Sequence, residues 1–207
     1  MTMRQAGLQV SGLSFRQPHV QLFSDWTATF PPGLTWVTGD EGTGKTTLLR
    51  LLAGDWPISS GTVRWLEGEA ARPLVPADVY WVDPATSDRD DLTVHAFAAE
   101  CQSRYPRWSE TAFKHWVRTL SLSEHQDKFL YMLSTGSKRK VWLAGALAAN
   151  ARATLLDEPE AALDQPSRQA LRAQLTRCNQ GDQGVWLVAG YHCPIEGKPM
   201  QTLRLGS

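Results

Sequence analysis

The sequence predicts an α/β fold in three parts: an N-terminal antiparallel β subdomain, a core of buried parallel strands and helices, and a helical subdomain inserted into that core. Three observations carry the prediction. Val185-Trp186-Leu187-Val188-Ala189 is fully apolar, the pattern of a strand buried on both faces of a parallel sheet. The segments before Pro31 instead alternate apolar and polar residues, as half-buried strands do. From Thr93 to about Ala149 the apolar period becomes helical.

Taken in order, Leu8–Val10, Val20–Phe23 and Trp26–Phe30 read as short strands ended by Pro31-Pro32-Gly33. Leu34–Val37 is a buried strand, and Thr46–Ala53 a helix stopped by Gly54. Thr62–Trp65 is a short strand between Gly61 and Gly68, and Val79–Val82 an apolar one ended by Asp83-Pro84. Thr93 is placed to cap a helix over Val94–Tyr105, which Pro106 closes. Ser109 caps the next, with Phe113, Trp116, Val117 and Leu120 on one face. A third helix runs from near Ser137 to Asn150. Ala153–Leu156 returns to the sheet, and Pro166 suits the first turn of a helix to Cys178. Val185–Ala189 and a short strand over Thr202–Leu205 follow. The chain, 1–207, is expected to be one domain: β subdomain and first part of the core in 1–92, helical subdomain in 93–150, remainder of the core in 151–207.

Composition excludes several classes. Lys plus Arg is 21 and Asp plus Glu is 21, so the net charge is zero. A nucleic-acid binder usually shows a basic excess, and none is expected as a partner. Cys101, Cys178 and Cys193 are too far apart for a metal-ligand spacing or a disulfide framework, which points to a reducing compartment. Met1–Val10 lacks a signal-peptide core, and the longest apolar run, Val141–Ala149, is too short to span a bilayer, so a soluble chain is expected. Nine tryptophans are many for this length, and the sequence gives them no function.

The chemistry begins at Gly39-Asp40-Glu41-Gly42-Thr43-Gly44-Lys45-Thr46-Thr47, which fits Gly, four residues, Gly-Lys-Thr. Its glycines let successive N–H groups turn inward toward a polyphosphate. Lys45 adds a point charge for the terminal phosphates, and the Thr46 hydroxyl suits Mg²⁺. A buried strand before it and a helix after it supply the setting such a loop needs. A chance glycine turn would not bring both flanks. Next, Leu155-Leu156 runs into Asp157-Glu158, placing carboxylates at the carboxyl edge of the sheet, where ligands of open α/β sheets lie. Asp157 reads as an Mg²⁺ ligand. Glu158, one residue on and pointing elsewhere, reads as the base for a water attacking the γ-phosphate. A solvated acidic turn is the alternative. Third, Leu133-Ser134-Thr135-Gly136-Ser137 precedes Lys138-Arg139-Lys140. A basic first turn opposes the helix dipole, so a bound anion is expected to account for the three cations.

In this order the motifs resemble those of a nucleotide-binding subunit of an ATP-binding cassette (ABC) transporter, over nearly the whole chain. The resemblance implies a P-loop NTPase (RecA-like) core. That family opens a helix with Leu-Ser-Gly-Gly-Gln, whose N-terminus faces the γ-phosphate held by the other subunit of a dimer. Ser134 and Gly136 match it, whereas Thr135 and Ser137 depart. Ala161-Ala162-Leu163-Asp164 is similar to the family's Ser-Ala-Leu-Asp loop, and His192 falls at its switch histidine. Asp83 stands where the family has Gln, a departure from its pattern; ionised Asp accepts hydrogen bonds only, and as a carboxylate it can bind Mg²⁺ beside Thr46 and Asp157. The family's adenine-stacking aromatic would fall near Gln17; Phe15 and Phe23 are the nearest aromatics, and spacing does not choose between them.

The resemblance further implies ATP and Mg²⁺ as cofactors and ATP hydrolysis with Glu158, His192 and Lys45 as catalytic residues. Its partners would be a second nucleotide-binding subunit, identical or paralogous, and an integral membrane permease holding the chain at the cytoplasmic face of the cell membrane. Trp108, Phe113 and Trp116 lie in the part that docks the permease, with core packing as their other use. Two rival readings are a regulatory, degenerate module with little hydrolysis and a soluble ABC ATPase outside transport.

Overall fold

The computed structural model describes residues 6–180, 184–193, 195 and 197–206, so Met1–Gln5 of the opening stretch lie outside it. The strands divide into two sheets. β1 (Gly7–Gln17), β2 (Val20–Phe30), β4 (Ser60–Glu67) and β5 (Ala70–Pro73) form an antiparallel sheet in the order β2-β1-β4-β5. β3 (Gly33–Thr38), β6 (Val79–Tyr80), β7 (Ala153–Asp157), β8 (Val185–Ala189) and β9 (Gln201–Arg204) form a parallel sheet in the order β6-β7-β8-β3-β9.

The pleat explains why the central strands are apolar throughout. Side chains alternate between faces. Leu34, Trp36, Leu156, Trp186 and Val188 enter one core, packed with the helices α2 (Val94–Arg104), α3 (Glu110–Thr119), α4 (Thr135–Ala149) and α5 (Gln165–Cys178). Val37, Leu155, Val185, Leu187 and Ala189 enter a second core, shared with α1 (Lys45–Ala53) and the antiparallel sheet. With both faces covered, polar positions on β3, β7 and β8 have no water to meet.

Several elements differ from the sequence expectation. Val20–Phe23 and Trp26–Phe30 are one strand, kinked at Asp25, which has φ 50° and whose backbone N–H donates to the Ser14 hydroxyl oxygen at 3.0 Å. The extra residue is a bulge, which simple alternation reads as a break. β5 escapes the sequence because Ala70-Ala71-Arg72-Pro73 has no apolar alternation; pairing with β4 makes it a strand. Val79–Val82 shortens to Val79–Tyr80, as Trp81 turns its indole N–H to Asp55 at 3.0 Å. The third helix starts at Thr135, not near Ser137, because Ser134 itself is the cap. Lys138, Arg139 and Lys140 therefore sit beyond the first turn.

The tryptophans are structural. Trp36, Trp65, Trp81, Trp116, Trp142 and Trp186 are buried, and Trp26, Trp56 and Trp108 pack against the two cores. Phe113 and Trp116 are thus core rather than groove. Among the described residues no helix is long and apolar enough to cross a membrane.

Candidate active site

The parallel sheet gathers the site at its carboxyl edge. The loop from Gly39 to Gly44 follows β3, Asp157 ends β7, and Tyr191 and His192 follow β8, so distant segments converge where the strands stop. Gly39 has φ 152° and Gly44 φ 93°. At Gly39 a Cβ would lie 2.6 Å from the Thr43 hydroxyl and 2.7 Å from the Leu205 carbonyl oxygen, so only glycine fits the bend.

The helix N-termini differ in a telling way. Thr93, Ser109, Ser134 and Asp164 each accept a hydrogen bond from a backbone N–H of the helix they open, α2 to α5 in turn. α1 begins at Gly44 with no side-chain cap. Its first N–H groups and its positive dipole end are left facing the loop, which suits an anion.

Lys45 is buried, and its ammonium donates to the carbonyls of Gly39 at 2.7 Å and Asp40 at 2.9 Å. It also lies 4.8 Å from the ring centroid of Tyr191. The Thr46 hydroxyl donates to Oδ2 of Asp157 at 2.6 Å across 111 residues of sequence. That pairing of hydroxyl and carboxylate is the oxygen donor set a hard cation such as Mg²⁺ prefers, and it adjoins the loop that receives phosphates, so these residues fit the metal.

A pocket of about 280 Å³ is lined by Gln17, Glu41, Gly42, Gly44, Lys45, Thr46, Thr47, Asp157, Glu158 and Tyr191. A second, of about 330 Å³, holds Glu158, Gly190, Tyr191 and His192. Glu158 and Tyr191 line both. Burial raises the Asp157 carboxyl above its ordinary value, against the Thr46 hydrogen bond and the charges of Arg139 and Lys45. Glu158 is raised as well, first by burial and then by the charge of Asp157, with Lys45, Arg139 and His192 opposing. Two acids side by side thus hold their protons more tightly than acids in water.

Other expected site residues are placed as follows. Asp83 gives one oxygen to Arg50 and the other to the Ala85 N–H at 2.9 Å, so both are engaged. Ser134 is exposed and accepts from the Ser137 N–H at 3.1 Å. Gly136 backs against the Ala162 carbonyl oxygen, which an added Cβ would overlap. Asp164 caps α5 through the Ser167 N–H at 2.8 Å and pairs with Lys140. These two bonds, Lys140 first, hold its carboxyl well below the usual range.

The basic run does not face an incoming anion. Lys138 pairs with Asp90 at 2.7 Å, Arg139 donates to the carbonyls of Asp157 and Glu158, and Lys140 pairs with Asp164. From the second turn of α4 these side chains reach back into the same chain. Of the two aromatics near Gln17, Phe15 stacks on Trp56 with centroids 5.8 Å apart, and Phe23 is buried against Trp26. Both serve the fold. Tyr191 and Arg50 were missed by sequence reasoning, and Arg139 was read only as one of three cations facing an anion. Their partners are remote in the chain, and no local pattern marks those pairings.

Comparisons with known proteins bear on the family and the fold. The family model for ABC transporters matches residues 23–161. The sulfate/thiosulfate import ATP-binding protein CysA of Gloeobacter violaceus is 35% identical over 152 residues, which are 71% of this chain and 44% of that protein. The molybdenum import ATP-binding protein ModC of Albidiferax ferrireducens is 34% identical over 155 residues, 70% of this chain and 42% of that protein. The chain spans less than half the length of these two relatives. A Pyrococcus furiosus chain described as an ATP-binding protein of an ABC transporter superposes with TM-score 0.75 at 19% identity, over 96% of this chain and 97% of the other, which shows the fold. On the family match and the shared fold, the chain belongs to the ABC transporter family and has the architecture of its ATP-binding subunits.

Proposed function

We propose that the chain binds and hydrolyses ATP as the subunit that powers a separate membrane permease. The observation that carries this reading is the convergence of Lys45, Thr46, Asp157 and Glu158 at one sheet edge, beside an uncapped helix N-terminus. The loop N–H groups and Lys45 bind the phosphates. Thr46 and Asp157 hold Mg²⁺, which when bound neutralises phosphate charge. Asp83, with one oxygen on Arg50 and the other on the Ala85 N–H, is not a free ligand.

Glu158 takes the proton of the attacking water. Its raised pKa brings it nearer neutrality, where a base accepts a proton most effectively. His192, in the same pocket, steadies the γ-phosphate. Two copies close head to tail, so that Ser134 and Gly136 of each reach the nucleotide of the other, with the Asp164 loop behind them. The permease keeps the chain at the cytoplasmic face of the membrane, and the dimer's closure moves it.

Glu158→Gln tests the reading. Loss of a general base costs about 10²–10⁴-fold in turnover. Hydrolysis is expected to collapse while ATP binding and an ATP-bound dimer persist; undiminished hydrolysis would remove Glu158 from this role. A second reading, a regulatory module with little turnover, draws on Thr135, Ser137 and the capture of Asp83 by Arg50. Negligible hydrolysis by the wild-type chain, with and without a permease, would favour it.

A further inference from the structure

Glu158 stands in a backbone state that its own residue type disfavours. Its φ is +44°, in the left-handed region, and Pro159 follows, which biases the preceding residue toward extended backbone. Such a conformation persists only where its surroundings fix it. The Glu158 N–H reaches the Ala189 carbonyl at 2.9 Å, which ties the turn to β8. The Ala161 N–H donates to the Glu158 carbonyl at 3.0 Å, and the attachment that spans both flanking peptides comes from Arg139. Its Nη1 donates to the carbonyl of Asp157 at 3.2 Å and to that of Glu158. Those two carbonyls belong to the peptides on either side of the Glu158 Cα.

Arg139 is an unusual choice for this place. Burial lowers its pKa, and its Nε is buried without a hydrogen-bond partner. Packing alone would not favour a half-desolvated guanidinium here. Its helix, α4, carries Ser134 and Gly136 at its start. The same helix touches the 157–164 segment at two further points, Gly136 against Ala162 and Lys140 on Asp164.

We propose that Arg139 is a positioning residue, which clamps the peptides flanking Glu158 and carries displacements of the α4 N-terminus into that carboxylate. Resting on the reading of Glu158 given above, the clamp links the end of α4 that meets a partner's nucleotide to the base that acts on its own. The fork geometry matters: a guanidinium spans two carbonyls, whereas an ammonium is a single point of donation.

The test uses the full chain with Arg139→Gln and Arg139→Lys. Steady-state kinetics give kcat and KM for Mg-ATP, and hydrogen exchange without nucleotide reads the backbone. Arg139→Gln is expected to lower kcat about 10- to 100-fold, the scale of a misplaced catalytic group, with KM little changed. Exchange should quicken in 157–163 while β8 keeps its protection. Arg139→Lys should restore part of both. Wild-type kcat in Arg139→Gln, unchanged exchange in 157–163, or a rise in exchange throughout the molecule would each overturn the clamp. If the Gln variant does not fold, Arg139→Lys decides: wild-type kcat and exchange overturn it, and lowered kcat with local quickening supports it. A wild-type chain without ATPase activity would defeat the functional reading, and the exchange measurement would still decide the clamp.

Discussion

Asp164 offers the sharpest quantitative test, because one carboxylate does two separable jobs. Oδ1 caps α5 through the Ser167 N–H at 2.8 Å, and Oδ2 takes the Lys140 ammonium. Asp164→Ala removes both. Losing such a cap costs about 0.5–2 kcal/mol. The ion pair adds at most about 1 kcal/mol, since the Asp164 side chain is 51% exposed and water screens it. Lys140 is 11% exposed, so stranding its charge adds a further fraction. The expected loss is about 1–3 kcal/mol, or about 2–12 °C in melting temperature for a chain of this size.

Asp164→Asn separates the terms. Its one oxygen serves either Ser167 or Lys140, and its amide nitrogen repels the ammonium, so the expected loss is about half that of alanine. The pH dependence has a definite sign. Asp164 is held below its ordinary pKa when folded, so the unfolded chain takes up its proton first. The wild-type advantage is therefore full above the ordinary Asp value of about 3.9 and shrinks as pH falls below it. Melting curves and urea titrations of the three proteins from neutral to acid pH measure this. Asp164→Ala within about 0.5 kcal/mol of wild type, the spread of an ordinary surface change, would refute the assignment of both bonds.

Three further outcomes follow from the site. Tyr191→Ala removes a ring that competes for Lys45; an exposed cation–π contact of about 0.5–1 kcal/mol converts to nucleotide affinity about two- to fivefold tighter, read by equilibrium titration. If Glu158 is the base, hydrolysis should fail on acidification at a pH above the ordinary Glu range, because the folded pKa is raised; a pH–rate profile flat through that region would contradict it. Gly136→Ala forces α4 away from the Ala162 carbonyl, and should abolish ATP-driven dimer formation in sedimentation while leaving nucleotide binding to the monomer intact.

What the sequence made legible was local. The loop from Gly39 to Thr47 is contiguous, and its chemistry depends on spacing alone. The caps at Thr93 and Ser109 were readable because each acts three residues ahead, on Ala96 and Ala112. Val185–Ala189 was readable because burial on both faces leaves no polar residue. What stayed hidden was non-local. Arg50 meets Asp83 33 residues away, and Arg139 meets Glu158 19 residues away. Nothing near Arg139 in sequence distinguishes it from Lys138, which goes to Asp90, or Lys140, which goes to Asp164. The three looked like one patch of charge, and folding sends them to three different carboxyl or carbonyl partners.

That dispersal bears on where an anion goes. A run of three cations at a helix start looks like a phosphate site, yet its charges are spent within the chain. The unspent donors are at the start of α1, where Gly44 supplies no side chain to occupy them. Lys45, beside them, is held by two carbonyls and a ring. A γ-phosphate must therefore win Lys45 from partners it already has, and the net gain of that exchange is smaller than the strength of the new contact. The N–H groups of the first turn have no side-chain partner to give up. Most of the affinity for phosphate should then come from backbone and dipole rather than from the lysine, and Lys45→Met should weaken transition-state charge stabilisation, and hence turnover, more than it weakens nucleotide binding.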